Sequence, residues 1–464
     1  MDTASPHLCQ DLQDGYRSCH SAHKTNKHGR GTVLWMCITA YQLIYSMITT
    51  SFALTVLPRE AERLNSEASS LWLAIYVMIC GATQLICPIA GMCSDRLSSR
   101  WGRRRPILLA GSVVASGGFM LVYFASLLSW PIMFMVGLLV TEMALNVAYA
   151  AHAALPADLS TASTRDVEST GSCRDAEAGI VSGIIALHSF LGAVLAMAVI
   201  ELLRGQPLQT FYIIYAAGVV FCSSIVCTLA KEERSNQSSA FPSGGEILSA
   251  YTLDLPADLD FFWVCTGRLL FYTSQAVIVF MEYFIRDMFE AKAEATVISR
   301  LITLVLIGQL VGAAVALPSS RLSDSFGRKP MVYASCSALC ATFLTFISAP
   351  HFGWYVMEIG AVLYGLGAGS YMSVDYALAL KCLPASKDSA QAFGLWGIAG
   401  FLGSCLGPLL VGGVLFFFPQ AGSEPKIWHR SHFQYKGYAL GILSAGALPA
   451  LAVIRATTHI RREV

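Results

Sequence analysis

Twelve long apolar runs constrain this chain more than any other feature of its sequence. Each approaches or exceeds the roughly 20 residues that an α-helix needs to cross a bilayer. The apolar residues are continuous within each run and do not alternate with polar ones, which argues against barrel strands. The runs lie at 33–57, 70–93, 106–128, 131–155, 178–202, 208–230, 261–284, 297–318, 330–349, 354–380, 391–418 and 437–454. The sequence therefore predicts an all-α membrane protein with twelve transmembrane helices.

The composition argues against the alternative of a large soluble enzyme. Of the 464 residues, 55% are hydrophobic and only 13% are charged, which is too few charges to cover a surface in water. The chain lacks the phosphate-binding GxxxxGK[ST] motif as well as HExxH and GxSxG, so neither a nucleotide-driven pump nor a membrane hydrolase is indicated. We expect no enzyme. We also expect no cofactor and no metal, because no group of cysteines and histidines has the spacing of a zinc site.

The distribution of positive charge predicts the orientation. If the N-terminus is cytosolic, the cytosolic segments carry 21 Lys and Arg residues and the outer loops carry 8, as the positive-inside rule requires. Both termini are therefore expected in the cytosol, in either the plasma membrane or an internal membrane. The first run has 25 residues, too many for a signal-peptide core, and is expected to stay as a helix. The sequon at Asn236 is then cytosolic and should stay unglycosylated.

Two unrelated sequence motifs each occur twice in the chain, and the separation between the two copies is nearly the same for both motifs. Gly102 in "DRLSSRWGRRR" and Gly327 in "DSFGRK" are 225 residues apart, and "HAALPADL" from His152 and "DYALALKC" from Asp375 are 223 apart. A shared offset predicts two pseudo-symmetric six-helix halves. The predicted divisions are an N-terminal tail 1–32, an N-terminal half 33–230, a linker 231–260, a C-terminal half 261–454 and a C-terminal tail 455–464.

The loop after the second run carries a family resemblance. Gly91-x-x-x-Asp95-Arg96 followed by Gly102-Arg103-Arg104, with a weaker copy after the eighth run, resembles the basic loop signature of the major facilitator superfamily. The continuation "GRRRP", and the stretches "YMSVDYALALKCLP" and "FGLWGIAG", are similar to the sucrose and glycoside transporters of plants and their animal and bacterial relatives. The resemblance covers nearly the whole chain. It implies the major facilitator fold and transport by alternating access.

The resemblance also implies a role for this loop in holding the outward-open state. Arginines at a cytosolic helix end fix topology, which accounts for part of the cluster without any gate. Asp95, beside Arg103 and a helix N-terminus, can in addition form a charge-assisted latch between the halves. In the second copy Ser320 and Ser325 replace Gly and Arg, so a weaker latch is expected there. The predicted gate and latch residues are Gly91, Asp95, Arg96, Gly102, Arg103, Arg104, Asp324, Gly327, Arg328, His152, Asp158 and Asp375.

Ionisable residues within the runs indicate where a solute would bind, because such residues are rare in membranes and usually functional. At about 1.5 Å per residue, Glu142 lies roughly 16 Å deep, at the midplane of the bilayer. The resemblance implies that helices 1, 4, 7 and 10 line a central cavity. The predicted proton-coupling or substrate residues are Glu142, Asn146, His188, Arg268, Tyr272, Gln275, Tyr364 and Tyr371. A purely structural role is the alternative for each of them. Glu142 and His188 would then be hydrogen-bonded core residues, and the aromatic residues would only pack against neighbouring helices.

These patterns predict a secondary active transporter of a small polar solute, with a sucrose-like sugar or glycoside moved by proton symport as the leading hypothesis. The alternative is an exporter, antiporter or facilitator of another small organic solute on the same fold. A Gly-Pro-rich antiporter signature is absent from the fifth run, and the similar "GPLLVGG" at 407–413 lies in the eleventh. A transporter-like sensor fits the midplane charges less well. The expected partners are the solute, protons and the lipid bilayer, with no nucleic acid, and a monomer is expected.

Overall fold

The computed structural model of the protein describes residues 28–64, 69–97, 99–163, 171–203, 205–232, 243–249, 251–255, 257–289, 294–384, 389–418 and 434–460. Within these ranges the chain is built from helices and short connections. The predicted N-terminal tail up to residue 27, the sequon at Asn236 and the last four residues lie outside the described residues.

Six long helices form the N-terminal half. The first, α1, comprises His28–Ile38 and Ala40–Ser51 and continues through the π-helical turn Phe52–Val56 into Leu57–Leu64. The second, α2, comprises Ser69–Ala82, the 3-10 turn Thr83–Ile86 and Cys87–Arg96. The remaining four are α3 (Arg105–Leu127), α4 (Pro131–Ser163), α5 (Gly171–Leu202) and α6 (Gln209–Leu229).

Six further helices form the C-terminal half, after a short linker helix at Gly244–Ser249. The seventh, α7, comprises Leu259–Gln275, the 3-10 turn Ala276–Phe280 and Met281–Met288. It is followed by α8 (Glu294–Phe326), α9 (Arg328–Phe352), α10 (Trp354–Lys381) and α11 (Ser389–Phe416). The last, α12, comprises Tyr435–Gly441, the π-helical turn Ile442–Ala447 and Leu448–Thr458.

Hydropathy and length agree with a membrane-spanning bundle. Among the described residues, ten helices are long and apolar enough to cross a bilayer, and the bent first helix makes an eleventh. The twelfth long helix, α10, has 28 residues, including several Gly, Ser and Tyr, and is not among these spans. The all-α fold expected from the twelve runs is confirmed.

The first helix, α1, bends sharply near its start. The axis turns by 42° between the segments that end at Ile38 and begin at Ala40, so Thr39 is the bend residue. Its carbonyl accepts the N–H of Gln42 at 3.0 Å, three residues on, in place of the usual fourth residue. The bend therefore leaves the Thr39 carbonyl less regularly satisfied than a carbonyl in a straight helix.

A buried acid and a tyrosine tie the first and last helices of each half together. In the N-terminal half, the Tyr212 hydroxyl of α6 donates to Glu60 Oε1 of α1 at 3.0 Å. In the C-terminal half, the Tyr438 hydroxyl of α12 donates to Asp287 Oδ2 of α7 at 2.6 Å. Tyr438 lies 226 residues after Tyr212, and Asp287 lies 227 residues after Glu60. The two bonds thus occupy equivalent places in the two halves.

The two halves touch mainly near one end of the bundle. We call this end the basic face; it carries the α2–α3 loop, the linker and the starts of α1 and α7. In the described part of the chain, hydrogen bonds between the halves lie in this region, for example from the Tyr376 hydroxyl to the Ala153 carbonyl at 3.0 Å and from the Ala377 N–H to Ser182 Oγ at 3.3 Å. The bundle is therefore closed at the basic face.

Candidate functional site

The C-terminal half supplies a buried ion pair at the centre of the bundle. Arg268 of α7 pairs with Asp375 of α10, and its guanidinium carbon lies 3.3 Å from the centroid of the Trp396 ring of α11. Arg268 Nη2 also donates to the Tyr272 hydroxyl at 3.4 Å. Burial of an arginine requires such partners, because an uncompensated charge is costly in a low-dielectric site. Three helices of one half therefore converge on a single cation.

Polar capacity remains in this cluster after its internal bonds are counted. Among the described residues, Arg268 Nε and both polar atoms of the Gln275 amide have no hydrogen-bond partner. Gln275 is the last residue of the first α7 segment, where the helix tightens into a 3-10 turn. A Cβ at Gly400 of α11 would lie 3.0 Å from Arg268 Nε, so the glycine leaves room beside the guanidinium. These groups can bind the oxygen atoms of a polar solute.

The N-terminal half supplies a carboxyl group of a different kind. Glu142 of α4 is only 4% exposed and makes no hydrogen bond or ion pair within the described part of the chain. One turn later, Asn146 accepts a hydrogen bond from the Tyr45 hydroxyl of α1 at 3.0 Å and donates to Thr83 Oγ1 of α2 at 3.0 Å. The predicted pair Glu142 and Asn146 thus faces helices α1 and α2, with the acid unbonded and the amide bonded.

Tyr149 connects the two clusters. Its ring stacks on Tyr45 with the centroids 4.6 Å apart and the planes at 21°. It packs against the apolar cores of both halves and lies close enough to Arg268 to interact with it electrostatically. The predicted residues of α4 and α7 are therefore brought together across the interface, although Glu142 and Arg268 do not pair. In this state Asp375, predicted as a gate residue, neutralises Arg268 instead.

The remaining residues predicted to contact the solute make packing or hydrogen-bond contacts outside the polar contacts of the Arg268 cluster. Tyr371 stacks on Phe271 with centroids 3.8 Å apart and planes at 8°, and the Tyr364 ring packs against Gly308 of α8. Both positions match the packing alternative, and a contact with solute stays a prediction for them. His188 of α5 lies against Thr39 of α1, away from the Arg268 cluster.

Arg104 is the most highly bonded of the predicted latch residues at the basic face. Its side chain is fully buried and pairs with Asp95 of α2 and with Asp158 Oδ2 of α4, the latter at 2.7 Å. Its Nη2 donates to Ser389 Oγ of α11 at 3.2 Å. Arg103, which the sequence predicted near Asp95, accepts a hydrogen bond at its carbonyl from Ser94, and its partly exposed side chain pairs with Asp158 at 3.2 Å. Arg104, directly before the start of α3, is the arginine whose side chain turns inward.

Glu232 of the linker binds the backbone of the α2–α3 loop. Both carboxylate oxygens of Glu232 accept the backbone N–H of Arg104, at 3.1 and 3.0 Å, and one of them accepts the N–H of Arg105 at 3.1 Å. Gly102 has φ +93°, and a Cβ there would overlap Glu232. Burial raises the pKa of Glu232, while these N–H groups oppose the shift. The carboxylate therefore caps the N-terminus of α3.

A second acid of the linker, Glu246, forms a solvent-exposed ion pair. Arg96 Nη2 lies 2.8 Å from Glu246 Oε1. Hydrogen bonds from Arg96 and from Ser243 lower the pKa of Glu246 to about 2. Tyr251 of the linker donates to the Leu85 carbonyl of α2 at 2.6 Å. In its described residues, the linker is therefore attached to the N-terminal half through Glu232, Glu246 and Tyr251.

The second copy of the loop is built differently. Gly327 has φ +90°, as Gly102 has a positive φ, and buried Arg328 donates to the Ala377 carbonyl at 2.9 Å. Asp324 lies against Gly179 of α5. Ser320, which replaces a glycine of the signature, donates its hydroxyl to the Gly179 carbonyl across the interface. The weaker latch expected at this copy stays a prediction, but Ser320 adds a contact between the halves. Gly91 is buried within α2, one turn before Asp95.

Sequence and structure comparisons identify the family. The family model described as "Major Facilitator Superfamily" matches residues 34–408 and 264–462, which together span nearly the whole chain. The chain belongs to the major facilitator superfamily. Members of this superfamily are transporters, and the twelve-helix bundle of this facilitator agrees with that membership. No curated protein sequence matches it.

Solved structures of other facilitators share the fold at low identity. The E. coli fucose:proton symporter FucP, in its outward conformation, is 15% identical with a TM-score of 0.61, over 92% of this chain and 98% of that chain. The proton:xylose symporter XylE is 12% identical with a TM-score of 0.65, over 91% and 95%. The human organic anion transporter MFSD10 is 14% identical with a TM-score of 0.62, over 92% and 99%. At such identities the likeness establishes the fold alone.

Some residues of this facilitator's site were not predicted from its sequence. Ser389 and Glu232 each join two parts of the chain that are far apart in sequence, and no motif marks either of them. Trp396 is not among the residues predicted for the site, although its ring contacts the Arg268 guanidinium directly. The usable signal for further partners of Arg268 was a buried arginine without an acidic residue within one turn of its own helix.

Proposed function

We propose that this facilitator moves a small polar solute, most simply a sucrose-like sugar or glycoside, together with protons by alternating access. The observation that carries the proposal is the difference between the two central clusters. Arg268 and Asp375 cancel each other's charge, whereas Glu142 is buried and has no hydrogen bond or ion pair within the described part of the chain. An unpaired carboxylate is costly to bury unless it takes up a proton or meets a cation. Glu142 is therefore the group at which the coupled proton would be carried.

The cluster around Arg268 in the C-terminal half fits the solute-binding part of this proposal. The free Arg268 Nε and the Gln275 amide offer both donors and an acceptor, which suits the hydroxyl groups of a sugar. Tyr149, Tyr272 and Trp396 add aromatic faces around them. That FucP and XylE are described as proton symporters of sugars supports the same class of transport on this fold.

A pair of assays on Glu142→Gln in sealed vesicles tests the proton step. The amide mimics the protonated acid, so the variant should still exchange labelled solute between two pools in counterflow. It should not accumulate solute when a pH gradient is applied. Glu358→Gln is the matched control, because Glu358 lies near the start of α10 and accepts the Trp354 indole N–H at 2.9 Å, a bond that an amide oxygen keeps. Accumulation by Glu142→Gln with normal pH dependence would reject the assignment and make His188 the next candidate.

An organic anion is the second candidate solute. The free Nε of Arg268 is the specific feature that favours it, because a carboxylate could replace Asp375 in a charge-assisted bond to the guanidinium. MFSD10 is described as an organic anion transporter. The vesicle panel should therefore contain sucrose, other glycosides and aliphatic carboxylates, with and without a pH gradient. Uptake of carboxylates alone would replace the sugar hypothesis.

We also propose that the basic face lies in the cytosol, on the charge distribution of the sequence. Lys231 is exposed at the end of α6, so a cysteine there reports the side on which it lies. An impermeant thiol reagent applied to intact cells should leave Lys231→Cys unlabelled. Labelling from outside would invert the topology.

A further inference from the structure

His188 meets the bend of α1 at a single ring nitrogen. Its Nδ1 lies 3.0 Å from the Thr39 hydroxyl oxygen and 3.1 Å from the Thr39 carbonyl oxygen. The residue that forms the bend therefore presents a hydrogen-bond donor and an acceptor to the same atom. The His188 ring is only half-buried, whereas Thr39 is fully buried.

The two possible bonds belong to different states of the Nδ1 atom, which accepts in the neutral ring with its proton on Nε2 and donates in the neutral Nδ1–H tautomer and in the protonated ring. A neutral ring with its proton on Nε2 can only accept at Nδ1, and the Thr39 hydroxyl is the donor in reach. A protonated ring donates at Nδ1, and the Thr39 carbonyl is the acceptor in reach. The displaced hydroxyl then has the Trp35 carbonyl, 2.9 Å away on its own helix, as its partner. A proton on Nδ1 thus exchanges the bonds at the bend, and only in the protonated ring is the bond to the Thr39 carbonyl charge-assisted.

We propose that His188 is a proton-dependent positioning residue that fixes the bend of α1 when it is protonated. A charge-assisted bond to the Thr39 carbonyl is stronger than the neutral bond to its hydroxyl, and this carbonyl is the one that the bend leaves irregularly bonded. The inference extends the proposed function by giving a second proton a structural role, but the switch itself requires neither solute nor transport.

The rest of the α1–α5 contact does not depend on pH. Gln42 Nε2 donates to Ser189 Oγ at 3.0 Å, and Ser46 Oγ donates to the Ser189 carbonyl at 2.6 Å. A Cβ at Gly192 would overlap the Leu43 carbonyl, so the two helices are in close contact beyond the bend. Protonation of His188 therefore acts on the bend while the neighbouring turns of α1 stay fixed to α5.

The titratable groups around His188 are a second histidine, which interacts with it electrostatically, and two tyrosines that are hydrogen-bonded elsewhere. On α4, His152 is a second buried histidine, its ring 5.3 Å from that of Tyr41 on α1. The Tyr41 hydroxyl is engaged with the Leu145 carbonyl. On α10, Tyr376 is bonded to the Ala153 carbonyl. The part of α8 that packs on this region of α5, residues 312–317, contains no titratable side chain.

Among the described residues, no charged side chain takes the place of the Thr39 carbonyl as the partner of protonated His188. Asp375 on α10 is paired with Arg268, and Glu142 on α4 lies beside Tyr45 and Cys80, ten residues or roughly three helical turns before His152. The Cys37 thiol of α1 precedes the bend. The charge on protonated His188 is therefore balanced by the Thr39 carbonyl, not by an acid.

Hydrogen exchange of the α1 backbone tests the inference directly, on the purified full chain in detergent without solute. After correction for the intrinsic pH dependence of exchange, residues 36–43 should exchange about five- to tenfold more slowly at the acid end of a titration from pH 5 to 8. His188→Gln should abolish this transition. Thr39→Val removes the hydroxyl that only the neutral ring uses, so the midpoint should move upward by about 0.5–1 pH unit.

Two further variants distinguish a switch at His188 from a change in the α1–α5 contact or in proton coupling. Ser189→Ala removes the neighbouring contact of Gln42 and should leave the midpoint unchanged. Glu142→Gln should retain the transition even though proton-driven accumulation is lost. A transition that survives in His188→Gln, or that disappears in Glu142→Gln, would overturn the inference, whereas failure of the transport proposal alone would leave the transition in place.

Discussion

Ser389 of α11 donates a hydrogen bond to Asp158 Oδ1 of α4 at 2.7 Å, across the boundary between the two halves. Arg104 Nη2 reaches the same hydroxyl at 3.2 Å. The C-terminal half thus contributes a neutral hydroxyl, while the charges at this contact all belong to the N-terminal half. When the halves separate, Arg104 keeps its ion pairs with Asp95 and Asp158, so opening exposes no unpaired charge.

Loss of that hydroxyl should favour opening of the basic face. Hydrogen bonds to charged groups contribute about 1.5–3 kcal/mol, so Ser389→Ala should reduce the closed population by on the order of tenfold or more. Spin labels at the exposed positions Arg100 and Arg321, one in each half, would report the separation as a longer distance. Ser389→Thr, which keeps a hydroxyl, is the control. An unchanged distance distribution in Ser389→Ala would contradict the latch.

Gly102 should be far less tolerant of substitution than another glycine of similar backbone. Gly102 and Gly205 have φ of +93° and +83°, but only at Gly102 does a Cβ meet another group, the carboxylate of Glu232. The positive φ alone costs roughly 1–2 kcal/mol for alanine. Gly205→Ala should show that cost and no more, whereas Gly102→Ala should also displace Glu232 and impair transport. Thermal unfolding in detergent and vesicle uptake measure the two effects, and equal behaviour of the variants would count against the linker contact.

The Arg268–Asp375 pair should show strong coupling. Removing one partner leaves a buried charge uncompensated, at a cost of about 3–5 kcal/mol. Arg268→Met and Asp375→Leu should therefore each lower the unfolding temperature strongly, and the double variant should recover most of the loss while remaining inactive in transport. A double-mutant cycle on unfolding free energies provides the measurement. Additive losses would show that the two side chains do not depend on each other.

Glu232 gives a pH dependence of stability with a definite sign. Burial raises the pKa of Glu232 in the folded protein, so the folded chain holds this proton at a pH where the unfolded chain has released it. Stability contributed by this group therefore falls as the pH rises from the ordinary value of about 4.3 to the raised one. Glu232→Gln should remove that part of the pH dependence, because its amide oxygen still accepts a backbone N–H. Unfolding temperatures from pH 4 to 7 for both proteins test this.

The sequence predicted the elements of the fold well and the partners of its charges less well. Apolar runs and basic loops reflect the bilayer, a constraint that acts on each segment separately, so the helices and the repeat could be located from them. Which arginine turns inward is decided by tertiary packing: Arg103 and Arg104 are neighbours, and only the start of α3 at Arg105 places Arg104 against Asp95. The same holds for Asp375, whose partner Arg268 is 107 residues away.

The acid–tyrosine bonds at the end of the bundle opposite the basic face separate what the two halves share from what they do not. Glu60 with Tyr212 and Asp287 with Tyr438 have kept equivalent places in both copies. The central charges have not: residues 365–369, at the repeat spacing from Glu142, contain only Gly, Leu and Ala, and residues 41–45, at the spacing from Arg268, contain no charge. The two halves thus share these structural bonds, whereas the chemistry at the centre is divided between them, with the acid Glu142 in one half and the cation Arg268 in the other.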